Sequence, residues 1–377
     1  MDEVTALLSD LVAIDSINPD LVPGAAGESA IARFAAEWLE RAGLDVTLDE
    51  PVAGRPSVIG VARGSGGGRS LLLNAHIDTV GVAGMEQPHT PRIVGSHLYG
   101  RGAYDMKGGL AAVMAAGAAA KQHNLRGDVI VAAVADEEYA SLGTESLVKR
   151  WRADAAIVTE PTQLQICVAH KGFIWMEIDT IGVAAHGSRP DLGVDAIVKM
   201  GQVLVGLEQL DRDLRSAPTH PLLHSGSLHA SLIQGGQELS SYPERCTLLV
   251  ERRTIPGETE EIVEDQVMAL LDRLAASDSS FKATLRTTFV RLPFEVATDA
   301  PIVTELMQQV QAQLGYAPQL VGETPWMDSA ILSAAGIPTV VFGPSGAGAH
   351  AAVEWVDLES VAQCAQVLLA TAQSFCR

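Results

Sequence analysis

The sequence predicts an α/β protein in which a three-layer αβα domain with a mostly parallel sheet carries a smaller, inserted ferredoxin-like α+β domain. Three observations predict it. Short, largely apolar runs (Leu71–Ala75, Val129–Ala135, Ala155–Thr159 and Pro338–Phe342) alternate with helical patterns, as expected for strands covered on both faces. From Phe173 the rhythm changes to the order βαββαβ, the ferredoxin-like pattern. At 377 residues the chain is long for one core and has room for two domains.

Taken in order, the first helix is marked by the stripe Leu7, Leu8, Leu11 and Val12. The second is marked by Ile31, Phe34, Ala35, Trp38 and Leu39 and stops at Gly43. The glycine run Gly64 to Gly68 precedes a strand and does not open a helix, so it reads as a flexible turn and not as a phosphate cradle. An alanine-crowded helix, Leu110–Lys121, leads into Val129–Ala135, and Ala155–Thr159 follows. The insert then reads as strand Phe173–Thr180, helix Val194–Leu210, strands Ser227–Gln234 and Arg245–Arg252, helix Glu258–Leu274 and strand Phe281–Val290. Residues 1–172 and 291–377 thus form the larger domain, and 173–290 the smaller one.

Composition narrows the function classes. Hydrophobic residues at 47% and charged residues at 19% suit a well-packed globular protein. A net charge of −20 argues against nucleic acid, whose phosphates call for clustered Lys and Arg. No apolar run approaches the ~18 residues of a membrane span, and the acidic start, Met1 to Asp10, lacks the layout of a signal peptide. Cys167, Cys246, Cys364 and Cys376 lie far apart without a CxxC, which reads as reduced thiols in the cytoplasm.

Ligands of open α/β sheets sit beyond the carboxyl ends of strands, and chemistry-bearing residues gather there. Leu71–Ala75 runs into His76 and Asp78, Val129–Ala135 into Asp136, Glu137 and Glu138, and Ala155–Thr159 into Glu160. Pro338–Phe342 leads through a glycine-rich turn to His350, and Asp105 stands just before the alanine-rich helix. Each has an ordinary explanation taken singly: a packed histidine, a solvated pair of glutamates, a turn before Pro161. Convergence at successive strand ends is what singles them out. Imidazole and carboxylate together suit zinc, with cobalt or manganese as substitutes. Two cations about 3.5–4 Å apart need a bridging carboxylate, and Asp105 is the central candidate. Asp78, two residues after His76, is placed to orient the imidazole. Glu137 and Glu138 lie at a strand end, where neighbours can serve one site, one as ligand and the other as general base.

The motifs Asn74 to Val80, Gly100 to Gly109, Asp136 to Glu138, Thr159 to Thr162, Ala185 to Ser188, Arg253 to Pro256 and Gly348 to His350 occur together in one order. By them the chain resembles the M20 family of metallopeptidases over nearly its whole length, in particular the branch of acetylornithine deacetylase and succinyl-diaminopimelate desuccinylase. The resemblance implies two metal ions, one held by His76, Asp105 and Glu160, the other by Asp105, Glu138 and His350. It implies Glu137 as general base, Asp78 as partner of His76, and a cis peptide between Asp105 and Met106. It further implies that the insert is a lid and homodimerisation surface. On that insert His186 would donate to the oxyanion, in its own subunit or across the dimer, and Arg253 would grip a substrate carboxylate. Ser240 stands at a substrate-contact position where many relatives carry Asn. Glu160, in place of Asp, fits the deacylase and carboxypeptidase branches.

The expected reaction is hydrolysis of the amide of a small N-acylated amino acid by a metal-bridging water, with Glu137 moving the proton. A carboxypeptidase or aminoacylase acting on dipeptide-like or aromatic N-acyl substrates is the alternative within the family. A metal-containing binding protein would have no use for Glu137 and His186, and a phosphoesterase would call for Arg or Lys at the strand ends. Trp326 reads equally as an acyl-pocket wall or as core. His170, His220, His224 and His229 read as structural or surface residues.

Overall fold

Short, largely apolar strands need cover on both faces, and the first of two compact units supplies it. In the computed structural model, which describes residues 3–377, this unit comprises the chain up to Val168 together with Val296–Val321 and Met327–Arg377. Its main sheet runs in space through Asp45–Asp49, Ser57–Ala62, Val129–Val134, Leu71–His76, Ala155–Val158, Thr339–Val341 and the first residues of Ile166–His170. The four strands from Val129–Val134 to Thr339–Val341 pair in parallel, and those outside them pair antiparallel. The four apolar runs singled out in the sequence are these four parallel strands, and the antiparallel strands extend the sheet at its edges. Ser57–Ala62 is buried at all six positions yet antiparallel to its neighbours, because burial at every position reports two covered faces and not strand direction.

Helix Gly108–Lys121 lies against three of these strands and against the last helix, Leu358–Phe375. Its small residues permit the approach: a Cβ on Gly109 would meet the carbonyl oxygen of Thr159 at 2.2 Å. Helices Leu142–Arg150 and Ser329–Ala334 pack on each other, and the latter packs against Thr339–Val341 and Ala155–Val158. A further antiparallel sheet of four short strands escapes the sequence reading: Arg92–Val94, His97–Tyr99, Trp355–Asp357 and Gly346–Ala347. At two or three residues each, they carry no periodicity to read.

The second unit comprises Ala169–Glu295 and Gly322–Trp326. Its sheet runs Ser227–Gly235, Arg245–Thr254, Gly172–Ile181 and Ala283–Arg291, antiparallel throughout, which is the ferredoxin-like order. Ile174, Met176, Ile178, Leu248 and Val250 alternate toward a core shared with Met200, Val203 and Leu207 of helix Ala196–Ser216 and with Val263 and Val267 of helix Glu260–Ser277. Asp195 and Thr259 start these helices by accepting hydrogen bonds from the amides of Val198 and Ile262. Both helices begin two residues later than the apolar stripe predicts, because the capping residues set the start. Among the described residues no helix is long and apolar enough to cross a membrane, and no disulfide joins the four buried cysteines.

Asp179 is the nearly buried anion of this second sheet. It accepts from Arg245 Nε and Nη2 at 2.8 and 2.6 Å and from Thr247 Oγ1 at 2.5 Å. Burial pushes its carboxyl upward, but the donors of Arg245 and Thr247 outweigh burial and hold it below the ordinary range. The Asp179→Asn variant is expected to lose about 1 kcal/mol at neutral pH, a value kept small by the exposure of Arg245. A folded-state pKa below the unfolded one stabilises above the unfolded value and is lost as pH falls through the folded value. The deficit in urea melts should therefore shrink as pH drops below about 4. A deficit that stays constant across the acid limb would rule out the ion pair as its cause.

Candidate metal centre

Three parallel neighbours end level with one another. His76 is in register with Val134 on one side, and Asn74 with Val158 on the other. His76 closes its own strand, and beyond Val134 and Val158 the neighbouring strands turn out of the sheet at the same edge, delivering the Glu137–Glu138 pair and Glu160. Asp136, at φ 72°, makes the turn that directs both glutamates to one side. Asp105 and His350 arrive by another route. The segment Gly100 to Asp105 leaves strand His97–Tyr99, and His350 lies between Gly346–Ala347 and Trp355–Asp357; Tyr99 pairs with Trp355. The small antiparallel sheet, and not a main-sheet strand end, brings these two together.

Asp105 stands in the middle. Its Oδ1 lies 3.2 Å from His76 Nε2, and its Oδ2 lies 3.3 Å from His350 Nε2. His76 Nε2 is also 3.6 Å from Glu160 Oε1 and 3.9 Å from Glu137 Oε2, while His350 Nε2 is 3.0 Å from Glu138 Oε2. Donor atoms close enough to share one ion group as His76, Asp105 and Glu138, and as His76, Glu137 and Glu160. His76 Nδ1 faces the backbone carbonyl of Asp78 at 3.0 Å, which leaves Nε2 as the donor turned to the carboxylates. The Asp105–Met106 peptide is cis.

Asp78 does more than its spacing suggests. Its carboxylate lies 3.5 Å from His76 Nδ1, but its closer partners are the amide of Glu137 at 3.0 Å, the amide of Glu138 at 3.2 Å and Asn18 Nδ2 at 2.7 Å. It anchors the backbone of the glutamate pair as well as the histidine. Behind it, Asn18 also reaches Asp136 at 2.9 Å, and the buried Arg55 pairs with Asp136 and Glu28. None of Asn18, Arg55 or Glu28 stood out in the sequence, since single polar residues at a helix or loop boundary carry no spacing signal.

The electrostatics explain why the cage calls for positive charge. Burial and the neighbouring charge of Glu160 push Glu137 well above the ordinary carboxylate range, and burial does the same to Glu160. Burial alone would lower His76, yet the charge of Glu160 and the hydrogen bonds to Asp105 and Asp78 raise it well above its ordinary value. His350, bonded to Asp105 and Glu138, is pushed up to about 10. Like charges 4 Å apart repel by about 4 kcal/mol at an effective dielectric near 20. Four carboxylates in one cage therefore require protons or cations. Glu138 Oε1 is buried and has no hydrogen-bond partner among the described residues, an atom left for a ligand to satisfy. Nitrogen and oxygen donors of this kind match a divalent transition ion.

Asp328 is a further buried acid near the cage that the sequence reading passed over in favour of its neighbour Trp326. Burial raises it to about 6, and its charge in turn acts on Glu137 and Glu160. Trp326 belongs to an aromatic cluster of the second unit. It donates to the Leu292 carbonyl and stands edge-on to Phe173, which neighbours Trp175 and Phe289. In the same unit His186 Nδ1 contacts Ser188 Oγ at 2.8 Å, and the Gly187 amide donates to the Ser240 carbonyl at 2.7 Å, so the segments carrying His186 and Ser240 lie side by side in an antiparallel bridge. The side chain of Ser240 is exposed and reaches Glu238 at 3.3 Å. Arg253 pairs with Glu251 at 2.6 Å and lies over the ring of Phe173.

Comparison with known proteins follows the same lines. The pattern of peptidase family M20/M25/M40 matches residues 72–374. An acetylornithine deacetylase of Myxococcus xanthus is 31% identical over 98% of this chain and 97% of its own length. An N-formyl-4-amino-5-aminomethyl-2-methylpyrimidine deformylase of Bacillus subtilis is 28% identical over 94% of this chain and 91% of its own. Among solved structures, a dinuclear metal-binding M20 peptidase from Bacillus subtilis superposes with a TM-score of 0.75, at 18% identity, over 99% of this chain and 98% of its own. The chain belongs to peptidase family M20/M25/M40 and is a metal-dependent amide hydrolase.

Proposed function

We propose that the enzyme hydrolyses the amide bond of a small N-acylated amino acid, releasing a carboxylate and a free amine. The observation that carries this reading is the placement of Asp105, one oxygen toward His76 and the other toward His350, in a cage otherwise made of glutamates. His76, Asp105 and Glu160 would hold one divalent ion, and Asp105, Glu138 and His350 the other, with zinc as the first candidate. When bound, the ions supply a Lewis acid for the carbonyl and lower the pKa of a water between them. Glu137, held by the Asp78 carboxylate through its backbone, takes the proton from the attacking water and returns it to the leaving nitrogen. His186 supplies a hydrogen bond to the carbonyl oxygen as it gains charge, and Arg253 and Ser240 contact the carboxylate side of the substrate. Two of the similar relatives, a deacetylase and a deformylase, favour deacylation over peptide cleavage.

A second reading, an aminoacylase or carboxypeptidase for aromatic N-acyl substrates, has one observation in its favour. Arg253 is stacked on Phe173 in a cluster with Trp175, Phe289 and Trp326, an apolar wall beside the carboxylate-binding cation. Zinc-reloaded protein, after stripping with a chelator, should hydrolyse members of a panel containing N-acetylornithine, N-succinyl-diaminopimelate and N-acetyl aromatic amino acids, read by amine release. Fastest turnover of the aliphatic acetyl substrate supports the first reading, and of the aromatic ones the second. A fully metal-loaded protein inert toward all of them would end both.

The Glu137→Ala variant should keep its fold and two metal ions while turnover falls about 10²–10⁴-fold. Ordinary turnover in that variant with metals loaded would remove Glu137 as the base.

Homodimerisation through the second unit has support in an unprotected sheet edge. Ser227–Gly235 is the outer strand, with Leu232 67% and Ile233 55% exposed. On helix Ala196–Ser216, Val198 and Val205 are 59% and 66% exposed, with open space over Gly201 between them. A two-fold pairing of these strands and helices would cover both. Light scattering should give twice the mass of the chain, and a double Val205→Glu, Leu232→Glu variant should run as a monomer. A wild-type monomer at high concentration would dismiss the interface.

A further inference from the structure

Arg101 and Glu354 are 2% and 1% exposed and form an ion pair, Nη1 to Oε2, at 2.6 Å. Replacing a buried ion pair by apolar residues is often neutral or favourable for stability, so stability alone gives little reason for this one. Its geometry gives a better one. Glu354 Oε2 also accepts from the amide of Gly102 at 3.0 Å, and Oε1 accepts from the amides of Tyr104 and Asp105 at 2.9 and 3.0 Å. One carboxylate thus holds three backbone N–H groups of the segment that ends in Asp105. Arg101 extends the hold: Nε donates to the Gly81 carbonyl at 3.1 Å, and Nη2 to the Ala351 carbonyl at 3.0 Å. Gly81 follows His76 and Asp78, and Ala351 adjoins His350. Three segments bearing the donors of the cage are therefore tied through a single pair of side chains, neither of which touches the cage atoms.

We propose that Arg101 and Glu354 are positioning residues for the metal centre. They fix the backbone from Gly102 to Asp105 so that the two oxygens of Asp105 stay divided between His76 and His350, and in doing so they set how tightly the two ions are held. This rests on the two-ion reading above. The orientation of Asp105 follows from the clamp because its own amide is one of the three held. A bridging carboxylate has little tolerance: turning it toward one imidazole deprives the other ion of a donor.

The informative variant is Glu354→Gln. Both oxygens of Glu354 act only as acceptors, and an isosteric amide turns one of them into a donor facing donors. In metal-free protein, hydrogen exchange read by mass spectrometry should be at least about tenfold faster across Gly100 to Lys107 than in the wild type. Zinc titration of stripped protein should show affinity weakened by about 10–100-fold. With zinc in excess, kcat should recover toward the wild-type value at unchanged KM. Arg101→Lys, which keeps the charge but loses the fork, should shift both readouts in the same direction by less and serves if Glu354→Gln does not fold. Ile31→Ala, a core truncation in helix Ser29–Arg41 away from the clamp, controls for instability and should leave zinc affinity unchanged. Zinc isotherms in both clamp variants that superpose on the wild type would overturn the proposal, as would equal weakening in Ile31→Ala. Failure of the wild type to take up two ions would instead sink the two-ion reading. In that event the exchange rates still decide the clamp, unchanged rates overturning it and faster rates supporting it.

Discussion

Asp105, Glu137, Glu138 and Glu160 converge on two imidazoles, and the rest of this structure is arranged around that accumulation of negative charge. Each carboxylate is pressed against others in a site largely removed from water, where repulsion is weakly screened. His76 is 1% exposed and cannot relieve the repulsion by turning outward. A cage of this composition resists folding unless cations or protons enter it, so the supporting contacts have to hold the acids in place against their own repulsion. Those contacts are backbone-directed: Asp78 holds the amides of Glu137 and Glu138, and Glu354 holds that of Asp105. Both holding groups are anions with counter-partners of their own, Asp78 with Asn18 and His76 and Glu354 with Arg101, so they fix backbone geometry without taking a donor from the cage.

Two sheets share the task. The parallel strands bring His76, the glutamate pair and Glu160 to one edge, as any parallel sheet does with the residues after its strands. They cannot also supply a central carboxylate, since a group emerging from a strand end lies at the rim. The short antiparallel sheet solves this by carrying Asp105 on a loop that leaves His97–Tyr99, next to the loop carrying His350. The helix that follows, Gly108–Lys121, comes within contact of the Thr159 carbonyl because Gly109 has no side chain. The glycines and alanines that made this helix conspicuous in sequence are the condition for seating Asp105 beside Glu160.

That division explains what could be read from the sequence and what could not. The strands that form the floor of the site are largely apolar runs of four to six residues, so their existence and the residues after them were legible. The insert was legible as well, because period-two alternation from Ile174 to Ile178 and two capped helices are strong local signals. The antiparallel edge of the main sheet was not, since Ser57 and Gly60 interrupt the short apolar run of Ser57–Ala62. The small sheet was invisible, because strands of two or three residues fall below any periodicity. Glu354, Arg101, Asn18 and Arg55 escaped for a related reason: each acts through partners distant in sequence, and a residue whose role is to bond a remote backbone amide has no local pattern. Asp78 was found, but only half of its work was, because a two-residue spacing points to His76 and says nothing of the amides sixty residues away.

A comparison inside the same unit separates a centre built for ions from one that needs none. Glu28, Asp78 and Asp136 are all buried, and their oxygens lie as near to one another as those of the cage. By proximity alone they would pass for a third cation site. But Arg55 stands among them, bonded to Glu28 through Nε and Nη2 and to Asp136 through Nη2, and Asn18 bridges Asp78 and Asp136 with one amide nitrogen. The chain supplies that cluster with its own guanidinium, fixed in charge at any pH a protein meets. In front of Asp78 the composition reverses. Among the described residues the ion-pair partners of Asp105, Glu137, Glu138 and Glu160 are His76 and His350, side chains that would release their protons to solvent as a metal binds and become its ligands. Burial and acid density are common to the two clusters. The nature of the counter-charge, permanent in one and replaceable in the other, is what marks the cage as the place where ions enter.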